Sequence, residues 1–461
     1  MRFPRVAFLG LVPLACLGAA CGSVTEVTSG ASGTTSATTS SGTGGTGGAS
    51  TTTTATTTTT TTGTGGAGGS GPDIGQPSDV YPAPHGPPPT VVSFGGQVLS
   101  TPTFVSVFFS NDDVDTKTKL KDFESKVGAT QYWKANTAEY GVGPGTAAAP
   151  IELPETAPDA IDDPAIQTWL AGKLNSDDPA FGPVPAGAIY TLHYPMTTVI
   201  SDGSGGPGGG AKSCQAFGGY HSSITLDAAH GSKNVAYAVI PHCPSFGDLS
   251  GLDAVTGPIS HELIEAATDP YPMVAPAFAQ MDDNHIYWIR FIGGGETGDM
   301  CAQFPNVFTT FPEMPEYVVQ RSWSNKAAKA GHDPCVPAPE GSVYFNAAPV
   351  MKDNIKASVF GQMVNVKGIK IPVGETKVVD LQLFSDADTG GPWSVEVKDL
   401  AELIGGNPHL DISLDADAGQ NGQTLHATIT VNSAGKSNTE TFIVISKLNG
   451  QTNIWLGIIG N

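Results

Sequence analysis

Between Gly22 and Gly71 the chain is almost wholly Ser, Thr, Gly and Ala, with an unbroken threonine run from Thr56 to Thr62. No apolar face can be built from such residues, so the segment cannot offset the entropy of ordering and reads as an extended linker. Whatever folds must fold on its C-terminal side. Asp73 to Pro89 follows, rich in proline and therefore stiffer. Residues 21–89 together are expected to form a stalk.

The N-terminal residues suit a stalk. Arg2 and Arg5 give a positive start, Val6 to Leu17 is apolar, and Gly18-Ala19-Ala20 places small residues ahead of Cys21. Residues 1–20 therefore read as a signal peptide, too short to span a bilayer as a helix. A cysteine directly after the small residues resembles the bacterial lipobox, in which the thiol is lipidated and becomes the mature N-terminus. The expectation is an exported lipoprotein of the cell surface or outer membrane, in contact with the membrane only through its lipid anchor. The net charge of -21 argues against nucleic acid as a partner, because phosphates would be repelled.

Setting aside Cys16 and Cys21, four cysteines remain: Cys214, Cys243, Cys301 and Cys335. An even set in an exported chain predicts disulfides. Of the three pairings, the nearest in sequence are preferred, Cys214–Cys243 and Cys301–Cys335. No CxxC spacing supports a cysteine metal site.

The folded part divides by texture. In residues 90–338, apolar runs at Phe104–Phe109, Ile189–Tyr194 and Val235–Ile240 read as buried strands. Leu120, Phe123 and Val127, and again Ile166, Leu170 and Leu174, recur at helical spacing. Strands interleaved with helices predict an α/β or α+β domain. Residues 341–461 carry about seven short β-rich runs, with Asn421-Gly422 as a hairpin signal between two of them. That pattern predicts an all-β, immunoglobulin-like sandwich acting as an accessory module. Its partner would be a cell-wall polysaccharide or a surface protein.

Chemistry concentrates in Ser260-His-Glu-Leu-Ile-Glu-Ala-Ala-Thr-Asp-Pro270. Pro258 suits the first turn of a helix and Pro270 stops it. On that helix His261 and Glu265, four apart, share one face. Zincin peptidases carry His-Glu-x-x-His on such a helix, two histidines binding zinc while the glutamate activates water. Here Glu265 replaces the second histidine. Imidazole plus carboxylate still suits zinc, and the harder donor set also admits manganese or calcium. Glu262 takes the place of the general base. Further ligands are sought among Asp269, His221 in Gly218-Gly-Tyr-His, and Glu296 and Asp299 in the glycine-rich loop before Cys301. The competing reading makes these residues helix caps, salt bridges and a solvated turn.

Taken in order, these blocks resemble the plant Exordium, or phosphate-induced, proteins and their bacterial relatives. The resemblance rests on Tyr132-Trp133 with Tyr140, Cys214 through Gly219-Tyr220-His221, Ala236 to Pro241 with Cys243, Ser260 to Pro270, Glu296 to Cys301, and Trp323-Ser-Asn325 with Cys335. It covers about Gly95 to Val336 and omits both the stalk and the β-rich tail. Thr297 stands where that family usually has isoleucine, and Met273 to His285 lacks its "NxWYD"-like segment. The resemblance implies export but no secure activity. Two functions stay open: a metal-dependent hydrolase of metallopeptidase type, and a non-catalytic envelope-binding module.

The leader generates a direct test. Wild-type protein is expected in the detergent phase on detergent phase partitioning, and Cys21→Ser in the aqueous phase. Both in the aqueous phase would rule the anchor out.

Overall fold

The computed structural model describes residues 73–204, 209–359, 362–435 and 438–460. The signal peptide, Cys21 and the linker through residue 72 lie outside them.

The first folded region is built on a mixed sheet whose long strands are β1 (Thr103–Phe108), β2 (Ala188–Tyr194), β3 (Tyr220–Thr225) and β4 (Asn234–Pro241). The spatial order is Thr146–Ala147, β1, β2, β4, β3. β1, β2 and β4 run parallel, and β3 lies antiparallel on β4 with His221 opposite Ala238. Strands covered on both faces read as continuous apolar runs. Alternate residues serve two cores: Phe104, Phe108, Ile189 and Ile240 face one way, Val105, Val107, Leu192 and Val239 the other.

Helices α1 (Val114–Val127), α2 (Gln131–Thr137) and α4 (Asp253–Thr268) contribute to the first core, and α3 (Asp163–Asn175) to the second. Asp113, Thr130 and Asp162 cap the N-termini of α1, α2 and α3 through their side chains. The layered α/β reading is thus present, with elements within a few residues of those expected. Pro258 is an exception. α4 starts at Asp253, so the proline falls inside the helix rather than in its first turn. The five residues before it carry no strong start signal.

A polar string lies buried within the first core. His193 Nε2 is 2.7 Å from Glu124 Oε1, and Ser106 donates to Glu124 Oε2 at 2.5 Å. His193 Nδ1 meets His242 Nε2 at 3.3 Å, and His242 Nδ1 lies 3.1 Å from Asp112 Oδ1. All of these residues are buried. Nothing in the sequence announces this string, because its members come from β1, the loop beyond it, α1, β2 and the turn after β4.

Beyond β5 (Met314–Gln320) the chain forms a β-sandwich. One sheet has the order Phe345–Pro349, Thr376–Ser385, Thr424–Val431, Leu410–Leu414. The other runs Asp353–Val359, Gln362–Lys370, Gln451–Gly460, Thr439–Leu448, Trp393–Asp399, Ala418–Gly419. All seven runs read from the sequence are strands. Phe345–Pro349, Asp353–Val359 and the two-residue Ala418–Gly419 are additional, the first lacking a long alternating pattern.

Asn421-Gly422 does not form a tight two-residue hairpin. It lies in the long connection between Leu410–Leu414 and Thr424–Val431, and Asn421 is used for something else. Its amide donates to the carbonyls of Ser78 and Val80 at 2.7 and 2.9 Å and accepts from Ala83 N–H at 3.0 Å. His85 stacks on Phe384 at 3.6 Å. The described proline-rich residues are therefore laid along the sandwich.

The two regions share a core. Trp288 meets Trp455 edge-on at 5.8 Å, and Tyr287 Oη donates to Leu456 O at 3.0 Å. Ile286, Ile292, Met300 and Trp323 belong to the same buried cluster as the inner faces of the sandwich.

The buried string carries a prediction. Glu124→Ala leaves a buried imidazole and a buried hydroxyl without their partner and is expected to cost about 1–3 kcal/mol. Exposed Glu375→Ala should fall within about 0.5 kcal/mol of wild type. Denaturant midpoints of the two variants decide it.

Candidate metal centre

α4 packs between the sheet and β5, so nearly all of it is buried, charged residues included. His261 and Glu265 do share a face, with His261 Nε2 at 3.0 Å from Glu265 Oε2. Glu262 lies beside them, its Oε1 4.0 Å from His261 Nε2.

His221 comes from β3, and disulfide Cys214–Cys243 ties the loop before that strand to the turn after β4. The ring reaches α4: His221 Nδ1 is 3.4 Å from Glu262 Oε2 and 3.6 Å from Glu265 Oε2. On its other edge, Nε2 lies 3.2 Å from the carbonyl of Asp269 and 3.4 Å from Glu296 Oε2.

The loop between α5 (Ile289–Ile292) and α6 (Asp299–Ala302) closes the site. It is fixed at both ends. Upstream, Arg290 donates to Thr439 Oγ1 at 2.8 Å and to Ser358 O at 3.2 Å in the sandwich. Downstream, Cys301 is bonded to Cys335. The N–H groups of Gly298 and Asp299 both donate to Glu265 Oε1, at 3.0 and 2.9 Å. Asp299 Oδ1 lies 3.8 Å from His261 Nε2. Gly298 must be glycine for this approach, since a Cβ there would lie 2.8 Å from His261 Nδ1 and 2.9 Å from Glu265 Oε1.

All seven residues singled out in the sequence thus gather around Glu265. Asp269 joins them mainly through its carbonyl, because its Oδ1 accepts from Ala277 N–H at 2.7 Å and its Oδ2 is buried without a hydrogen-bond partner. Glu296 Oε2 is likewise buried without one. Gln320 was not legible. From β5 it places Oε1 3.1 Å from His261 Nδ1 and donates Nε2–H to Gly298 O at 2.8 Å, orienting ring and loop together. A lone glutamine 59 residues from the histidine leaves no local signal.

Electrostatics follow from the crowding. Burial alone would push Glu265 up, but the charge and hydrogen bond of His261 hold it below the usual carboxylate range. Burial alone would lower His261, but the charges of Glu265 and Glu262 hold it well above its ordinary value. His221 is raised in the same way, with Glu262 and Glu265 outweighing burial. The remaining acids bear the repulsion. Burial and then Glu265 push Asp299 up to about 7, burial pushes Asp269 up to about 6, and burial with Glu265 and Asp269 pushes Glu296 well above the carboxylate range. Crowding and burial thus force these carboxylates towards their neutral forms.

The site opens on one side. The side chains of His261, Glu296 and Asp299 keep 13, 17 and 18 % of their surface exposed, while Glu265 keeps 4 %.

Neither a family model nor a curated protein sequence matches the chain. Among solved structures, domains 4 and 5 of the S-layer protein SbsC align at 12 % identity with a TM-score of 0.16, over 24 % of this chain and 52 % of that one. The titin M3 domain aligns at 10 % identity with a TM-score of 0.14, over 25 % of this chain and 96 % of that one. The chain thus spans about half the length of the S-layer fragment it matches.

Proposed function

We propose that this is an exported surface protein, lipid-anchored at Cys21, whose central domain binds divalent metal in a zincin-like manner and uses it to hydrolyse its substrate. The two disulfides fit an oxidising, extracytoplasmic setting. The resemblance of about Gly95 to Val336 to Exordium proteins agrees with export. The observation that carries it is the convergence of His221, His261 and five carboxylates from a strand, a helix and a loop on one largely buried cluster whose outer side chains keep some exposure. His261 and Glu265 would hold the metal, with zinc the first choice and manganese or calcium the alternatives that so many oxygens admit. Bound metal would polarise a substrate oxygen and lower the pKa of a water. Glu262, within reach of both imidazoles, is suited to take the proton of that water. Gln320 would hold the His261 ring in place from behind.

The abundance of carboxylates supports a second reading. A shell filled by Glu265, Glu296 and Asp299 would leave no open position, and the domain would be a metal-stabilised, non-catalytic module. The sandwich would then grip wall polysaccharide or another surface protein.

Metal analysis after dialysis against trace zinc separates these readings. Wild type should retain stoichiometric metal, Glu265→Ala should lose it, and His261→Ala should hold less. Glu262→Gln should keep the metal and lose any hydrolytic activity that wild type shows. Retained activity in that variant removes the catalytic assignment, and no metal in wild type removes both readings.

The same groups set a pH dependence. Asp299 and Asp269 have folded values of about 7 and about 6, above the ordinary 3.8, so the stability they allow is lost as pH rises through those values. His261, raised above 6.5, acts in the same direction. Glu265, lowered from 4.5, acts oppositely and only in acid. Metal-free protein is therefore expected to melt at higher temperature near about pH 5.5 than near about pH 8, and saturating metal should reverse that order. Calorimetric melts with and without zinc check it.

A further inference from the structure

We propose that the outer face of the hairpin formed by Asp353–Val359 and Gln362–Lys370 binds an acidic polysaccharide, one whose sugars carry carboxylate groups. This rests on the reading of the sandwich as a polysaccharide-binding module and deepens it, whatever the metal centre does. Charge is unevenly spread along the chain, which has 22 Lys and Arg against 43 Asp and Glu. Residues 352–377 reverse that balance. Five lysines, Lys352, Lys356, Lys367, Lys370 and Lys377, stand there against two acids, Asp353 and Glu375. The segment carries +3 within a net charge of -21, which leaves -24 on the rest.

Strand register gathers part of this charge on one surface. The two strands pair antiparallel, with Asn354 opposite Lys367 and Lys356 opposite Asn365. Residues opposite one another share a face. The alternate set, including Ile355, Ala357 and Val366, is buried in the shared core, so the lysines and asparagines point outward. Lys356 and Lys367 are diagonal neighbours, roughly 7–8 Å apart. Lys367 Nζ donates to Asn354 Oδ1 at 2.7 Å, a neutral partner that leaves its charge uncompensated. Lys352 and Lys356 are exposed and form no ion pair among the described residues. At the end of the hairpin a single acid serves two lysines: Asp353 Oδ2 accepts from Lys370 N–H and pairs with Lys377 Nζ at 3.1 Å.

Lysine on an edge strand also blunts strand-to-strand association. That role accounts for Lys356 on the outermost strand but not for Lys367, which lies on the next strand in. Ammonium groups complement carboxylates, and the asparagine amides both donate to and accept from sugar hydroxyls. Shape and charge select among polyanions. Two strands span about 10 Å, which matches one extended polymer chain rather than a bilayer surface. The -24 on the rest of the chain would be repelled by a flat anionic membrane, whereas a single polymer chain has to approach only the hairpin.

The test is binding of the full-length Cys21→Ser chain to immobilised sodium alginate, without added divalent cation, beside neutral dextran and phosphatidylglycerol vesicles. Binding to alginate alone is expected, weakening about tenfold or more between about 50 and 200 mM salt as counterions are released. Lys356→Glu/Lys367→Glu should weaken it at least about tenfold, and the milder Lys356→Gln/Lys367→Gln by less, with thermal melts checking the fold. Lys326→Glu/Lys329→Glu makes the same charge change at exposed positions on another helix and should leave binding near wild type. No binding to alginate, unchanged binding in either folded hairpin variant, equal loss in the control variant, or preference for vesicles overturns the proposal. Metal content measured on the same samples keeps the two readings apart: alginate binding without metal removes only the metal centre, and metal without alginate binding removes only this surface.

Discussion

Glu265 is a buried carboxylate held in its ionised form first by the charge and hydrogen bond of His261, and two backbone N–H groups add to that support. Hydrogen bonds to an anion from backbone amides are among the stronger polar contacts in a protein and favour the charged form. Those of Gly298 and Asp299 leave one oxygen of Glu265 to face His261 and His221. The arrangement requires a loop delivered to within 3 Å of a helix in the middle of the domain. The site therefore depends on whatever fixes residues 293–299.

Much of that fixing comes from outside the central sheet. Trp288 and Tyr287 are set into the sandwich, Arg290 is bonded to two of its strands, and Cys301 is tied to Cys335 just ahead of it. The β-rich region had read as an accessory module with no part in the chemistry. Its direct contribution to the site is mechanical: it bears none of the candidate ligands yet holds the segment that closes over them. The two regions are joined by a continuous apolar core, which accounts for the burial of Ile286, Ile292 and Met300 between them.

The parts legible in the sequence were those governed by local periodicity. Apolar alternation and helical spacing located the sheet, the helices and most of the sandwich strands to within a few residues. Both disulfides followed from nearest pairing. His261 and Glu265 were legible because a four-residue spacing fixes two side chains on one helical face. Gln320 and the Glu124–His193–His242–Asp112 string were not, since their meaning arises only when distant segments meet. Asn421-Gly422 misled for a related reason: it does sit in a tight turn, with Gln423 N–H on Gln420 O at 3.1 Å, but the flanking strands pair in different sheets and a proline-rich segment more than 330 residues earlier uses the asparagine as a clasp.

That clasp has a consequence for how the molecule bears load. Residues 74–85 reach the sandwich before the chain enters the central sheet, and they are held there by Asn421, by Thr424 N–H on the Ile74 carbonyl, and by the His85–Phe384 stack. Tension arriving from the N-terminal side is thus passed first into the C-terminal half of the protein. A pull on the chain at residue 73 would have to peel these contacts apart before it strained the sheet or the carboxylate cluster.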